Sequence, residues 1–361
     1  MIMKNSSTPN HMGKFSLLIR VVFVALLCSV FATGCTKEAK KGRFLRSAER
    51  HFKAGAYDKA KIEYLNVLRL DQRNATAFAR LGQIWFDEGA PLKAGWFLIK
   101  ARELAPNYLE NRLRLARVYH TIGKREDARK EVILVLEQDP ANGEALMALA
   151  EMALTPEGIK VAEEALQKFS NKESVFYQLA AANVAMRKPD LPVAQSLIDR
   201  ALALDPKSAD AHHLKGILHL LQKDKKGAGE EFKMAAELSP PRSSLKISYA
   251  DYAAQTGSRG EASAYLESLT SKTPDFLPAW TLRARIALSE KKYDETLALL
   301  ENVFSRDPDS VDARLLQAKS LLAKKQTKKA IDVLDGLDRN HPGAPAIKFN
   351  LARAYLAEAK P

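Results

Sequence analysis

A period of 34 residues constrains this chain more than any other feature. Prolines fall at Pro106 and Pro140, then at Pro206, Pro240, Pro274, Pro308 and Pro342, spaced by 34 except for one gap of 66. Small residues keep the same period in a second register: Ala48, Gly82, Ala116, Ala150, Ala180, Gly216, Ala250, Ala284, Ala318 and Ala352. A third register runs Ala60, Ala94, Ala128, Ala162, Ala194, Ala228, Ala262, Thr296 and Ala330. Such self-similarity marks a repeat array, in which one supersecondary unit buries its apolar face only against its neighbours. Aromatic residues make up 7% of the chain, which is rich in Ala, Leu, Lys and Glu, so the unit is helical.

Within each unit, large or small apolar residues at positions 4, 7, 8 and 11 form one stripe of a first helix. Positions 20, 24 and 27 form the i, i+4, i+7 stripe of a second. Gly or Ala at positions 8 and 20 lets two antiparallel backbones approach, and Pro at 32 ends the second helix. The second unit shows the set as Phe78, Leu81, Gly82, Trp85, Ala94, Leu98, Ala101 and Pro106, and the third as Leu115, Ala116, Tyr119, Ala128, Val132 and Pro140.

These residues resemble the tetratricopeptide-repeat family. The resemblance implies an all-α, right-handed superhelical solenoid of antiparallel helix pairs. It divides the chain into nine repeats: 41–74, 75–108, 109–142, 143–172, 173–208, 209–242, 243–276, 277–310 and 311–344. Residues 345–361 are then a capping helix or a truncated tenth repeat, carrying Phe349, Leu351, Ala352 and Tyr355. The stretch 143–208 is irregular: its first repeat is about four residues short around Pro156, and two extra residues are expected near Lys188–Pro192.

The first 35 residues read as a secretory leader, with Lys4, Lys14 and Arg20 ahead of an apolar run Val21–Ala32 and small residues before Cys35. The segment resembles the lipobox of bacterial lipoproteins, although Ala32 stands where Leu is usual. The resemblance implies cleavage after residue 34, acylation of Cys35, a short lipidated tether at 35–40, and an envelope location, at the outer membrane facing the periplasm. An uncleaved signal anchor is the alternative, although the uncharged stretch from Val21 to Gly34 is shorter than the about 20 residues that span a bilayer. Cys28 and Cys35 are the only cysteines, so no disulfide framework holds the body of the chain. Of the formal charge of +13, the stretch just after Cys35 carries +4, with Lys37, Lys40, Lys41, Arg43, Arg46 and Arg50 against only Glu38 and Glu49. A stretch of that kind suits anionic lipid head groups.

No nucleotide fingerprint, nucleophile elbow, metalloprotease helix or paired CxxC occurs, so neither an enzyme nor a cofactor is expected. His212 and His219 fall at core positions of their helix, which argues against a metal site with His213. Asp139-Pro140, Asp205-Pro206 and Asp307-Pro308 read as helix-ending turns. Nucleic acid is not an expected partner, since the repeats are only mildly basic.

In the family, positions 2, 5, 9, 12 and 13 line the concave surface. Carried over, they give Leu45, Phe52, Phe86, Leu113, Arg117, His120 and Met147, continued by Tyr177 and His213, as a groove for a helix or extended peptide. Leu45 and Glu49 replace the Lys and Asn with which chaperone-binding members clamp a carboxylate, so that activity is not implied. Position 9 then becomes Arg285, Lys319 and Arg353, a basic row suited to an acidic peptide or an anionic polysaccharide. The expected function is a protein-binding scaffold at the cell envelope. A part in exopolysaccharide or surface-protein export, of the PEP-CTERM/exosortase kind, is the alternative.

Overall fold

The computed structural model describes residues 36–359, which form nineteen helices and, among the described residues, no strand. Cys35 and the apolar leader lie outside the described residues. No described helix is long and apolar enough to cross a membrane. The chain divides into two compact units, one ending at Leu81 and the other beginning at Gly82.

In the first unit, α1 (36–53) and α2 (Tyr57–Leu70) form a hairpin, followed by the start of α3 (Ala75–Asp87). Ala48 on α1 and Ala60, Tyr64 and Val67 on α2 are wholly buried, so the small residues of the second and third registers lie where the hairpin closes. The Tyr64 hydroxyl donates to Glu49 at 2.7 Å, and Arg80 Nε donates to the same oxygen at 3.0 Å. Residues 36–40, expected as a tether, are instead the exposed first turns of α1. Lys, Glu and Ala there are good helix formers, and Glu38 pairs with Lys41 one turn on at 2.7 Å.

The second unit continues through α4 (Pro91–Leu104), α5 (Leu109–Thr121), α6 (Arg125–Gln138), α7 (Gly143–Glu151), α8 (Pro156–Lys168), α9 (Val175–Arg187) and α10 (Leu191–Leu204). Then come α11 (Ala209–Leu221), α12 (Lys225–Leu238), α13 (Ser244–Gln255), α14 (Arg259–Lys272), α15 (Leu277–Ser289), α16 (Tyr293–Phe304), α17 (Val311–Ala323), α18 (Thr327–Asn340) and α19 (Pro345–Glu358). Odd-numbered helices are the first, and even-numbered the second, of each repeat. From α5 to α18 contacts run along the stack, each helix touching its hairpin partner and a neighbouring repeat.

Position 8 shows why the small residue is needed. A Cβ placed on Gly82 lies 2.5 Å from Leu98 Cγ, and one on Gly216 lies 2.8 Å from the Phe232 ring. Both large residues stand at position 24 of the facing helix, and in these two repeats they come too close to leave room for a Cβ at position 8. The hairpin turns supply a further register that the sequence reading did not use. Gly55, Gly89, Gly123, Lys223, Gly257, Lys291 and Lys325 all take positive φ, between 62° and 102°. Each occupies position 15, where the chain leaves the first helix in a left-handed conformation.

The irregularity at 143–208 lies elsewhere than expected. Repeat five is regular: α9 and α10 have 13 and 14 residues and are joined through Lys188, Pro189 and Asp190, a turn as long as its neighbours. The two extra residues sit earlier, in the loop 169–174 between α8 and α9. Repeat four is therefore 143–174 and repeat five 175–208, which makes Ala182 rather than Ala180 its position 8. The four missing residues come out of α7, only 9 residues long, which ends before Thr155 caps α8 through the Gly158 N–H at 3.1 Å. Phe169 closes that end of the repeat, buried and stacked on Tyr177 with ring centroids 6.3 Å apart.

Candidate functional site: the concave groove

The inner face of the second unit is defined by charges that meet across successive first helices. Arg117 on α5 pairs with Glu144 on α7 at 3.3 Å. Glu151, at the last turn of α7, faces Arg117 and Asp210, the latter two repeats further on. Residues so far apart in sequence share a field only where first helices converge, on the inner side of the stack. Enclosure by protein, and then the Asp210 charge, push the Glu151 carboxyl up to about 7 against the pull of Arg117. The side chain is open to solvent on its groove side, so water softens this effect without reversing it. Asp210 is raised in the same sense, by enclosure first, with Arg117 opposing and Glu144 adding.

Glu144, Glu151 and Asp210 were not among the groove residues expected from sequence. They occupy positions 2, 9 and 2, positions already assigned to the concave face, so acids there were the available signal.

Other expected residues are placed as follows. His120 and His213 are half-buried, and burial lowers the pKa of both, helped at His120 by Arg125. His213 packs 5.5 Å from the Phe232 ring, and His120 Nδ1 is a buried atom without a hydrogen-bond partner. Phe86 is half-buried beside the cluster of Leu98, Leu115 and Tyr119. In the first unit Leu45 is half-buried, and Phe52 stacks on Tyr57 at 5.6 Å beneath the Arg80 guanidinium.

Three expectations need correction. Leu113 and Met147 are 6% and 8% exposed and belong to the core, because position 5 packs between neighbouring repeats here. Tyr177 falls at position 3 once the register of repeat five is set. Leu179 takes position 5 and is buried. The basic row is only partly free: Arg285 lies 3.7 Å from Asp251, whereas Arg353 keeps its charge 5.9 Å from the Phe349 ring. Lys319 is exposed.

Two family profiles described as tetratricopeptide repeat match the second unit, one over residues 86–152 and 287–348 and the other over 179–243. The chain belongs to the tetratricopeptide-repeat family. No curated protein matches it. Among solved structures it is similar to yeast Tom70, at 16% identity and a TM-score of 0.42, covering 89% of each chain. It is similar also to a tetratricopeptide repeat protein from Parabacteroides merdae, at 16% identity and a TM-score of 0.41, over 78% of this chain and 98% of that one. PilF of Pseudomonas aeruginosa gives 16% and 0.42, over 61% of this chain and 99% of its own. Proteins with this fold are protein-interaction scaffolds and generally non-catalytic.

One contact within the second unit bounds the tetratricopeptide groove. The turn between α3 and α4 meets the eighth repeat, six repeats along the chain. The Leu277 N–H, one of the donors left free at the start of α15, donates to the Glu88 carbonyl at 2.9 Å. Lys93 Nζ donates to the Arg306 carbonyl at 2.6 Å and lies 3.4 Å from Asp307. Gly89 fits against Pro278 so closely that a Cβ there would sit 2.3 Å from Pro278 Cδ. Ala90 is buried with Leu277, Ala284 and Leu300, flanked by Trp85 and Trp280. The second unit thus curves far enough for one repeat to clasp another.

Two further histidines lie against carboxylates. His212 Nδ1 lies 2.6 Å from Glu231, which also takes Lys215 at 2.6 Å, and His219 lies 2.9 Å from Asp224. No group of three metal-ligating side chains occurs among the described residues.

Proposed function

We propose that this chain is a binding scaffold held at the cell envelope by acylation of Cys35, and that it takes a peptide or helix of a partner protein along its concave face. The observation that carries the groove reading is the cross-repeat set Arg117, Glu144, Glu151 and Asp210. Its members stand on three first helices, and two of them bear carboxyls whose proton affinity is raised. Half-buried Phe86 and His213, at positions 12 and 5 of their repeats, add apolar area to the same expected face. A segment carrying a basic residue next to an apolar one suits such a surface, with Arg117 fixing its direction.

The anionic-polysaccharide variant, and with it direct glycan contact in an export system, has less support. Asp251, 3.7 Å from Arg285, weakens the row at its first member.

Two measurements test the reading. Labelling with a fatty-acid analogue in a Gram-negative host should mark the wild-type chain and not Cys35→Ala, and equal labelling of both would refute the anchor. Cross-linking in intact cells should retain a polypeptide on the wild type and lose it with Arg117→Glu/Glu151→Lys, whereas co-purifying polymer without polypeptide would favour export.

A further inference from the structure

We propose that α1 lies flat along an anionic phospholipid surface, with Lys40, Arg43, Arg46 and Arg50 against the head groups. This rests on the envelope-anchoring reading and adds an orientation to it.

The four cations share one side of a continuous helix. At about 100° per residue they fall within a sector about 120° wide, facing away from the buried core residue Ala48. All four are exposed, and no ion pair or hydrogen bond engages their side chains among the described residues. Lys40 alone has a ring near it, Phe44 at 5.9 Å. Lys41, one residue away, is turned from this face toward Glu38 and Asp71. Together with Phe44, Ser47 and Glu63 the four line an open cleft of about 580 Å³. Glu63 is the one acid there, and it accepts the Ser47 hydroxyl at 3.0 Å. Other exposed bases are engaged by acids, as Lys188 is by Glu163 and Lys100 by Glu103.

Its place in the chain identifies the partner. The apolar run Val21–Ala32 ends eight residues before Lys40. On the envelope-anchoring reading, acylation of Cys35 or retention of the leader would hold the chain at the membrane interface one residue before α1 begins. A rise of 1.5 Å per residue puts Arg50 about 22 Å beyond residue 35 if the helix stands upright. That is more than twice the Debye length of about 8 Å at physiological salt, so an upright helix would leave Arg46 and Arg50 screened from the surface. Lying flat, all four reach the head groups.

The test uses the full chain in vesicles of phosphatidylcholine, with or without phosphatidylglycerol, and reads arginine modification by a dicarbonyl reagent at each site. Arg43, Arg46 and Arg50 should each be modified at least about fivefold more slowly in the anionic vesicles, the factor set by roughly 1 kcal/mol per cation. Exposed Arg200 should be unchanged. Protection should vanish in about 1 M salt, where the Debye length is about 3 Å. Equal modification in both vesicles would overturn the proposal, and so would protection fading from Arg43 to Arg50. Protection seen in native envelopes but not in lipid alone would assign the face to an acidic protein and likewise overturn it. Flotation with neutral vesicles reads anchoring separately: a chain that floats with unprotected arginines refutes the orientation alone, and one that stays behind refutes the anchor.

Discussion

Single residues decide how tightly each hairpin closes. Gly216 stands over the Phe232 ring with no room for a methyl group, so Gly216→Ala forces the ring or the backbone to move. The expected cost is about 1–3 kcal/mol of unfolding free energy, as for other overpacked sites, read as a lower urea midpoint. No loss of stability would mean that the helices separate without cost there. Glu151 governs a pH dependence. Its folded carboxyl is raised from the ordinary 4.5 toward about 7, by less than that full shift because the side chain is exposed, so the folded state holds the proton more tightly. Its contribution is complete below about pH 4.5 and is lost as the pH rises to about 7. The wild-type urea midpoint should therefore decline relative to that of Glu151→Gln across that window, the variant removing the Glu151 share while the opposing shifts of His120 and His213 stay common to both; parallel curves for the two proteins would contradict this.

At the scale of the helix and its turn, the periodic pattern located nearly every element but failed where it was ambiguous. Ala180, Ala181 and Ala182 are consecutive, and any of them satisfies a small-residue position, so the register of repeat five was set by spacing alone and came out two residues early. The loop 169–174 absorbs the difference. Loop length leaves no periodic trace, which is also why Tyr177 was assigned to the groove. The left-handed turn at position 15 was hidden for another reason: Gly serves it in some repeats and Lys in others. Lys325, at a φ of 62°, pays for a conformation that favours glycine. Lys325→Gly should raise stability by about 0.5–1 kcal/mol, visible as a higher thermal midpoint. An unchanged or lower midpoint would show that the lysine side chain compensates for the strain.

For the molecule as a whole, the repeat count and the helical class were legible because they follow from composition and period. The clasp was not. It joins repeats six apart through a backbone carbonyl, a glycine and a lysine, none of which differs in kind from its counterparts elsewhere in the array. If it closes in solution, the Leu277 amide should exchange its hydrogen slowly, and Gly89→Leu should speed exchange there while leaving the centre of α11 protected. Rapid exchange at Leu277 in the wild type would mean that the clasp is open.

The concave face as the recognition surface is the central claim, and site-specific photo-crosslinking in intact cells tests it most directly. A photoreactive residue in place of Arg117, within the groove, is compared with one in place of Lys130, exposed on the second helix of the same repeat. The account predicts a discrete protein adduct from position 117 and none from position 130. An adduct from position 130 alone, or from both equally, would contradict it.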